Sequence, residues 1–241
     1  MSICFLKNFE GMSLRIEGDC RVDIGIVWDD TRSIDATEWE QIANFTKVLA
    51  KEIRLSENGA HIGITTYGWQ PNNVGAFLVI KLGDHTDYTK FAAAVDDLIN
   101  TRKNMGGNMI HLGLEMSLNE MFNIANGARP NTNKALILIT DGDCFKCDTD
   151  EVKENLTNVA GRIKDAKIKM LMIGVGIKYE QVDQFDVTQF VGKHDFSEVQ
   201  DLGELVGSAL LNQMAVVCDG MYFRYLQMYN LQPISNSSLM I

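Results

Sequence analysis

The sequence predicts an α/β fold on a mostly parallel sheet, and three observations carry that expectation. From Arg21 onward, short apolar runs of strand length alternate with segments whose apolar residues recur every three or four positions. Two of the runs, Val22 to Trp28 and Lys134 to Thr140, are too rich in Val, Ile and Leu to face water on either side, as central parallel strands are. Each of those two runs stops at an aspartate, Asp29 and Asp141, where a strand hands over to a loop.

Taken in order, Val22 to Trp28 is the first strand, and Trp39, Ile42, Phe45, Leu49 and Ile53 mark one face of the helix after it. His61 to Tyr67 and Ala76 to Leu82 read as strands. The turn around Pro71-Asn72-Asn73 is too short for a parallel crossover, so these two are expected as antiparallel neighbours at a sheet edge. A helix from about Asp87 to Asn100 follows, then a Gly-rich loop from Asn104 to Asn108, then Ile110, Leu114, Leu118 and Met121 on a second helical face. After Lys134 to Thr140, the helix marked by Val152, Leu156, Val159 and Ile163 completes another βα unit. Lys169 to Gly176 is a further central strand, and Leu202, Leu205, Val206, Ala209 and Leu210 mark a last helix running to about Val217. The alternation therefore occupies residues 20–218, with residues 1–19 and 219–241 expected as tails.

Composition narrows the function. The chain has 241 residues, 46% hydrophobic and 22% charged, an ordinary globular balance. A formal charge of -10 without any Lys or Arg run argues against nucleic acid or an anionic membrane surface as partner. Every apolar stretch falls short of the roughly 18 residues a membrane helix needs, so a soluble protein is expected. Ile3 to Leu6 is too short for the h-region of a signal peptide. Sequons at Asn44, Asn155 and Asn236, with Cys20 and Cys218 bracketing the patterned region, lean toward an extracellular, secreted glycoprotein.

In an open parallel sheet, function gathers beyond the carboxyl ends of the strands, where strand order reverses. Asp29, Thr31 and Ser33 stand two residues apart after the first strand, a spacing that turns all three to one side of an extended loop, and Asp141 follows the fourth. Two carboxylates and two hydroxyls without His or Cys suit a hard cation that keeps water, Mg²⁺ or Mn²⁺ in preference to Zn²⁺. The same residue types also cap helices, so either segment alone could serve only that purpose.

The combination of D-x-T-x-S at Asp29-Thr31-Ser33, the Gly106-Gly107-Asn108 loop and Leu136-Ile137-Leu138-Ile139-Thr140-Asp141-Gly142 resembles the von Willebrand factor type A domain of matrilins, collagen VI and integrin inserted domains. The resemblance runs from Cys20 to Cys218. It implies a Rossmann-like, doubly wound sheet, mostly parallel with one antiparallel edge strand and helices on both faces. It also implies a metal-ion-dependent adhesion site, with Asp29, Thr31, Ser33 and Asp141 as ligands and an acidic side chain of an extracellular matrix partner, such as collagen, completing Mg²⁺ coordination. Two departures stand out. Met109 takes the place of the family's usual Thr in the middle loop, and a thioether is a poor ligand for a hard cation, so weak binding is expected. Asp30 replaces a usual Gly and adds a negative charge beside the site, either attracting the cation or opposing an acidic partner. By the same resemblance Cys20 and Cys218 are expected to be bridged. Cys144 and Cys147 then form either a small loop disulfide or a redox pair, and Cys4 is left over.

Two other readings compete. A structural matrix module would bind its partners without metal, as Met109 favours. A haloacid-dehalogenase-like phosphatase is imitated by the apolar strand ending in Asp141-Gly142-Asp143, but that motif normally opens its domain and leaves D-x-T-x-S unexplained. The four histidines, at 61, 85, 111 and 194, have no nucleophile–base spacing, so no enzyme is expected.

Overall fold

The computed structural model describes residues 3–5, 15–17, 21–70, 73–107, 109–142, 149–175, 189–193, 197–200, 202–203 and 206. Cys20, Asn108, Cys144, Cys147, Cys218 and Asn236 lie outside them, and so do both expected disulfides and most of the last helix. In the N-terminal segment, strands β1 (Ile3–Phe5) and β2 (Arg15–Glu17) pair antiparallel as a two-stranded ribbon of their own.

The main sheet holds six strands: β3 (Val22–Asp29), β4 (Ala60–Gln70), β5 (Asn73–Ile80), β6 (Asn133–Thr140), β7 (Lys169–Val175) and β8 (Gln189–Lys193). Their spatial order is β5-β4-β3-β6-β7-β8, with β5 alone antiparallel to its neighbour. This is the expected mostly parallel sheet with one antiparallel edge strand. The chain leaves β3 toward β4 on one side and leaves β6 toward β7 on the other, so strand order reverses between β3 and β6.

Alternation along the strands divides the core into two layers. Val22, Ile24, Ile26 and Trp28 pack with α1 (Ala36–Ile53), α2 (Tyr88–Asn100) and the short α5 (Ser197–Gln200), joined by Leu202 and Val206. Val27, Leu136, Leu138, Met170 and Met172 face α3 (Ile110–Met116) and α4 (Asp150–Asp165) on the other side. Helices thus cover both faces, and all five apolar positions read for the first helix are buried.

Three local features differ from the sequence reading. The periodicity through Met121 is carried by α3 followed by a π turn over Ser117–Met121, where the Phe122 amide bonds the Ser117 carbonyl at 3.0 Å. Strand β8 is short and has little apolar pattern. Sequons Asn44 and Asn155 are exposed, but they lie within α1 and α4 rather than on loops, and Thr46 of the first is fully buried. No helix among the described residues is long and apolar enough to cross a membrane.

Candidate functional site

Both candidate loops leave the sheet at its switch point. The β3–β6 register sets Trp28 beside Ile139, which brings Thr140 and Asp141 level with the end of β3, and the β3–β4 register sets Asp29 beside Tyr67. Asp29 faces the α3 and α4 side and is fully buried. Its Oδ1 accepts from the Thr31 amide at 3.1 Å and from Thr31 Oγ1 at 2.6 Å. Its Oδ2 accepts from Tyr67 Oη at 2.8 Å and from Thr140 Oγ1 at 2.7 Å.

Proton counting orients the rest. A hydroxyl has one hydrogen, and Thr31 gives its own to Asp29, so the 2.8 Å contact between Thr31 Oγ1 and Ser33 Oγ has Ser33 as donor. The lone pairs of Thr31 and Ser33 not used within this chain of bonds remain as oxygen donors, and Ser33 is exposed. Burial, and next the negative charge of Asp141, push the Asp29 carboxyl up to about 6, against the hydrogen bonds from Thr31, Thr140 and Tyr67. Asp141 is half-buried, and Gly142 after it turns the chain with φ 71° while its amide bonds Thr140 Oγ1 at 3.0 Å. The structure therefore brings together all four residues singled out in the sequence. Carboxylates that repel one another beside the hydroxyl oxygens of buried Thr31 and exposed Ser33 suit a hard divalent cation. Among the described residues no group of three or more His, Cys, Asp or Glu could hold a metal, so two carboxylates with two hydroxyls is the donor set to weigh.

Helix capping does not account for these residues. The N-cap of α1 is Asp35, whose carboxylate accepts from the Glu38 amide at 2.9 Å while Glu38 returns a bond to the Asp35 amide at 2.7 Å. The N-cap of α4 is Thr149. The N-caps of these two helices are thus residues other than Asp29, Ser33 and Asp141.

The expectation for Asp30 needs correcting. Its carboxylate is paired with Arg102 Nε at 3.1 Å and accepts from the Lys103 and Asn104 amides at 3.2 and 3.0 Å, so it neither adds a bare charge to the site nor faces a partner. Met109 is the N-cap of α3 and makes no side-chain cap bond. Tyr67, Thr140 and Arg102 were not legible as site residues from the sequence, because only strand register and loop packing place them. Burial pushes the imidazoles of His61 and His111 below their usual range, as expected of core histidines.

A doubly wound sheet with an Asp-Thr-Ser loop and an Asp loop meeting at its switch point defines a class of protein, and residues 23–209 match the model of the von Willebrand factor type A domain. The chain belongs to that family. It is 24% identical over 188 residues to matrilin-1 of Gallus gallus, covering 76% of this chain and 35% of that protein. It is 25% identical over 159 residues to the collagen alpha-5(VI) chain of Mus musculus, covering 65% of this chain and 5% of that one. The chain thus spans about a third or less of these relatives. Among solved structures, proximal thread matrix protein 1 from the mussel byssus, one form of which has a zinc-occupied MIDAS motif, superposes with TM-score 0.67 at 21% identity, covering 80% of this chain and 48% of that one. Manganese-loaded TRAP protein of Plasmodium vivax superposes at 0.57 with 18% identity, covering 76% of this chain and 72% of that one.

Proposed function

We propose that this chain is an extracellular, non-enzymatic matrix-binding module. It binds a matrix protein, such as collagen, at the carboxyl edge of the sheet through a weakly held divalent cation. The observation that carries the reading is the hydrogen-bonded series Asp29–Thr31–Ser33 set against the charge of Asp141 at the switch point. The relatives are matrix proteins by name, and two structural neighbours are described with zinc or manganese. Those facts support the compartment and the kind of ion without assigning either.

In this reading Asp29, Thr31, Ser33 and Asp141 hold the ion. When bound, a divalent cation offers a Lewis-acid position to a carboxylate of the partner. Tyr67 and Thr140 fix the Asp29 carboxylate by donating to its Oδ2, and the Thr31 amide and hydroxyl fix Oδ1. The phosphatase reading fares worse, since Thr140, just before the aspartate such an enzyme would use, is committed to Asp29.

The test is calorimetric titration of the chain with Mg²⁺ and with Mn²⁺, followed by solid-phase binding to collagen with and without chelator. Ion binding in the wild type, lost in Asp29→Asn, together with chelator-sensitive adhesion supports the proposal. Adhesion that persists in chelator replaces it with the metal-independent matrix module that Met109 favours.

A further inference from the structure

Outside the four candidate ligands, the densest polar construction near the site centres on Arg102. We propose that Asp30 and Arg102 form a latch that holds the Asp29–Ser33 loop in its cation-receptive shape and couples it to the loop leading into α3. This rests on the reading of the site as a cation site, and it makes Asp30 and Arg102 positioning residues rather than ligands.

The guanidinium spans the whole turn. Nη2 donates to the carbonyls of Thr31 at 2.8 Å and Ile34 at 2.7 Å, Nη1 donates to the carbonyl of Asp35 at 3.0 Å, and Nε donates to Asp30 Oδ1 at 3.1 Å. The carbonyls of residues 31 and 34 flank Ser33, so fixing both limits where the Thr31 and Ser33 hydroxyls can go. The guanidinium also lies 4.8 Å from the ring centre of Trp39, which meets Trp28 edge-on at 5.0 Å. Its side chain is only 11% exposed, so these bonds are little weakened by water.

The second half of the latch runs in the other direction. Asp30 accepts from the amides of Lys103 and Asn104, and its carbonyl accepts from the Met105 amide at 2.7 Å. Met105 is fully buried against Gly68, where an added Cβ would come within 2.5 Å of the Met105 Cβ. Lys103 Nζ rests 3.0 Å from the centre of the Phe77 ring on β5. Residues 102–105 are therefore fastened to the first loop, to β4 and to β5, immediately before Gly106-Gly107-Asn108. A rigid planar fork is what allows one side chain to serve four acceptors, and lysine offers none.

Groups that orient metal ligands from behind change ion affinity by about 10- to 100-fold when removed. The test compares wild type, Arg102→Lys and Asp30→Ala. Its readouts are Mn²⁺ calorimetry, the luminescence lifetime of bound Tb³⁺ in H₂O and D₂O, and amide hydrogen exchange without metal. The expected result is a 10- to 100-fold loss of Mn²⁺ affinity in both variants, at least one additional water on bound Tb³⁺, and faster exchange at Asn104 and Met105. A role in stability alone would not move the water count far below the melting temperature. Should Arg102→Lys fail to fold, Asp30→Asn, which keeps the shape of residue 30, decides on the same readouts. Wild-type Mn²⁺ affinity in the folded variants, or unchanged exchange at Asn104 and Met105, overturns the latch and leaves the cation site standing. A wild type that binds no ion overturns both.

Discussion

Strand β3 carries two fully buried aspartates on the same face, and their surroundings could hardly differ more. Asp23, at the amino end, meets Arg129, whose Nε donates to Oδ1 at 2.8 Å and whose amide donates to Oδ2 at 2.8 Å. The same guanidinium reaches the carbonyls of Val22 and Gly59, both at 2.8 Å, so it ties β3 to the bend before β4 and to its own loop before β6. Asp29, at the carboxyl end, meets hydroxyls and one amide, with Asp141 as its charged neighbour and the second cause of its raised pKa. One buried carboxylate meets a guanidinium, and the other meets hydroxyls and the like charge of Asp141; in the proposed reading a cation from solution offsets that repulsion. The contrast is the one the proposed function requires of a structural carboxylate and a ligating one.

The largest effect should come from breaking the balanced end. Arg129→Met leaves Asp23 buried without its counter-charge and is expected to cost about 3–5 kcal/mol of stability, read from urea unfolding. Ion affinity should stay within about twofold of wild type in the folded fraction. A large loss of ion affinity there would show that the two ends are not independent.

The carboxyl end of β3 should respond in the opposite sense. Asp29 carries a folded-state pKa raised from 3.8 to about 6, so between those values the folded chain binds more protons than the unfolded chain. The Asp29 contribution to the stability of the metal-free protein should therefore fall as pH rises through that window, by about 3 kcal/mol. Asp29→Asn should flatten this pH dependence and be at least as stable as wild type at neutral pH without metal. Urea unfolding of wild type and Asp29→Asn at pH 4 and pH 7 checks both statements, because the difference between the two proteins removes the opposite contribution of His61 and His111; a wild type that gains stability relative to Asp29→Asn as pH rises would reverse the assignment. Saturating Mg²⁺ should restore wild-type stability at neutral pH, visible as a rise of a few degrees in Tm that chelator removes and Asp29→Asn lacks.

Much of this arrangement was legible in the sequence, for a physical reason. Residues from Val22 to Trp28 and from Lys134 to Thr140 are apolar because both faces of those strands are covered, so their loops were bound to open at the middle of the sheet. Asp29, Thr31, Ser33 and Asp141 could be named because each lies within five residues of such a strand end. Tyr67, Thr140 and Arg102 depend on register and on contacts across more than 35 residues of chain, which no local pattern records. Asp23 was missed because a lone charge within an apolar run looks like an interruption until Arg129 is found beside it. Strand β8 escaped for want of apolar residues, and the role of Asp30 depended on where its side chain turned.

The smallest expected effect sharpens the comparison at the loop between the two ligand segments. Met109 occupies the N-cap of α3 without a side-chain cap bond, so Met109→Thr offers two distinct gains. A capping hydroxyl should add about 0.5–2 kcal/mol to stability whether or not metal is present. A new oxygen at the ion should raise Mg²⁺ affinity and therefore add stability only when Mg²⁺ is bound. Thermal unfolding with Mg²⁺ and with chelator separates the two: an increment larger in Mg²⁺ places residue 109 at the cation, and an equal increment makes it a cap alone. Asn108 is the control, since it has the only oxygen-bearing side chain between Met105 and Ile110. If Asn108→Ala loses ion affinity while Met109→Thr gains none, the middle loop reaches the ion through its carboxamide. The weak binding expected from Met109 would then have no basis.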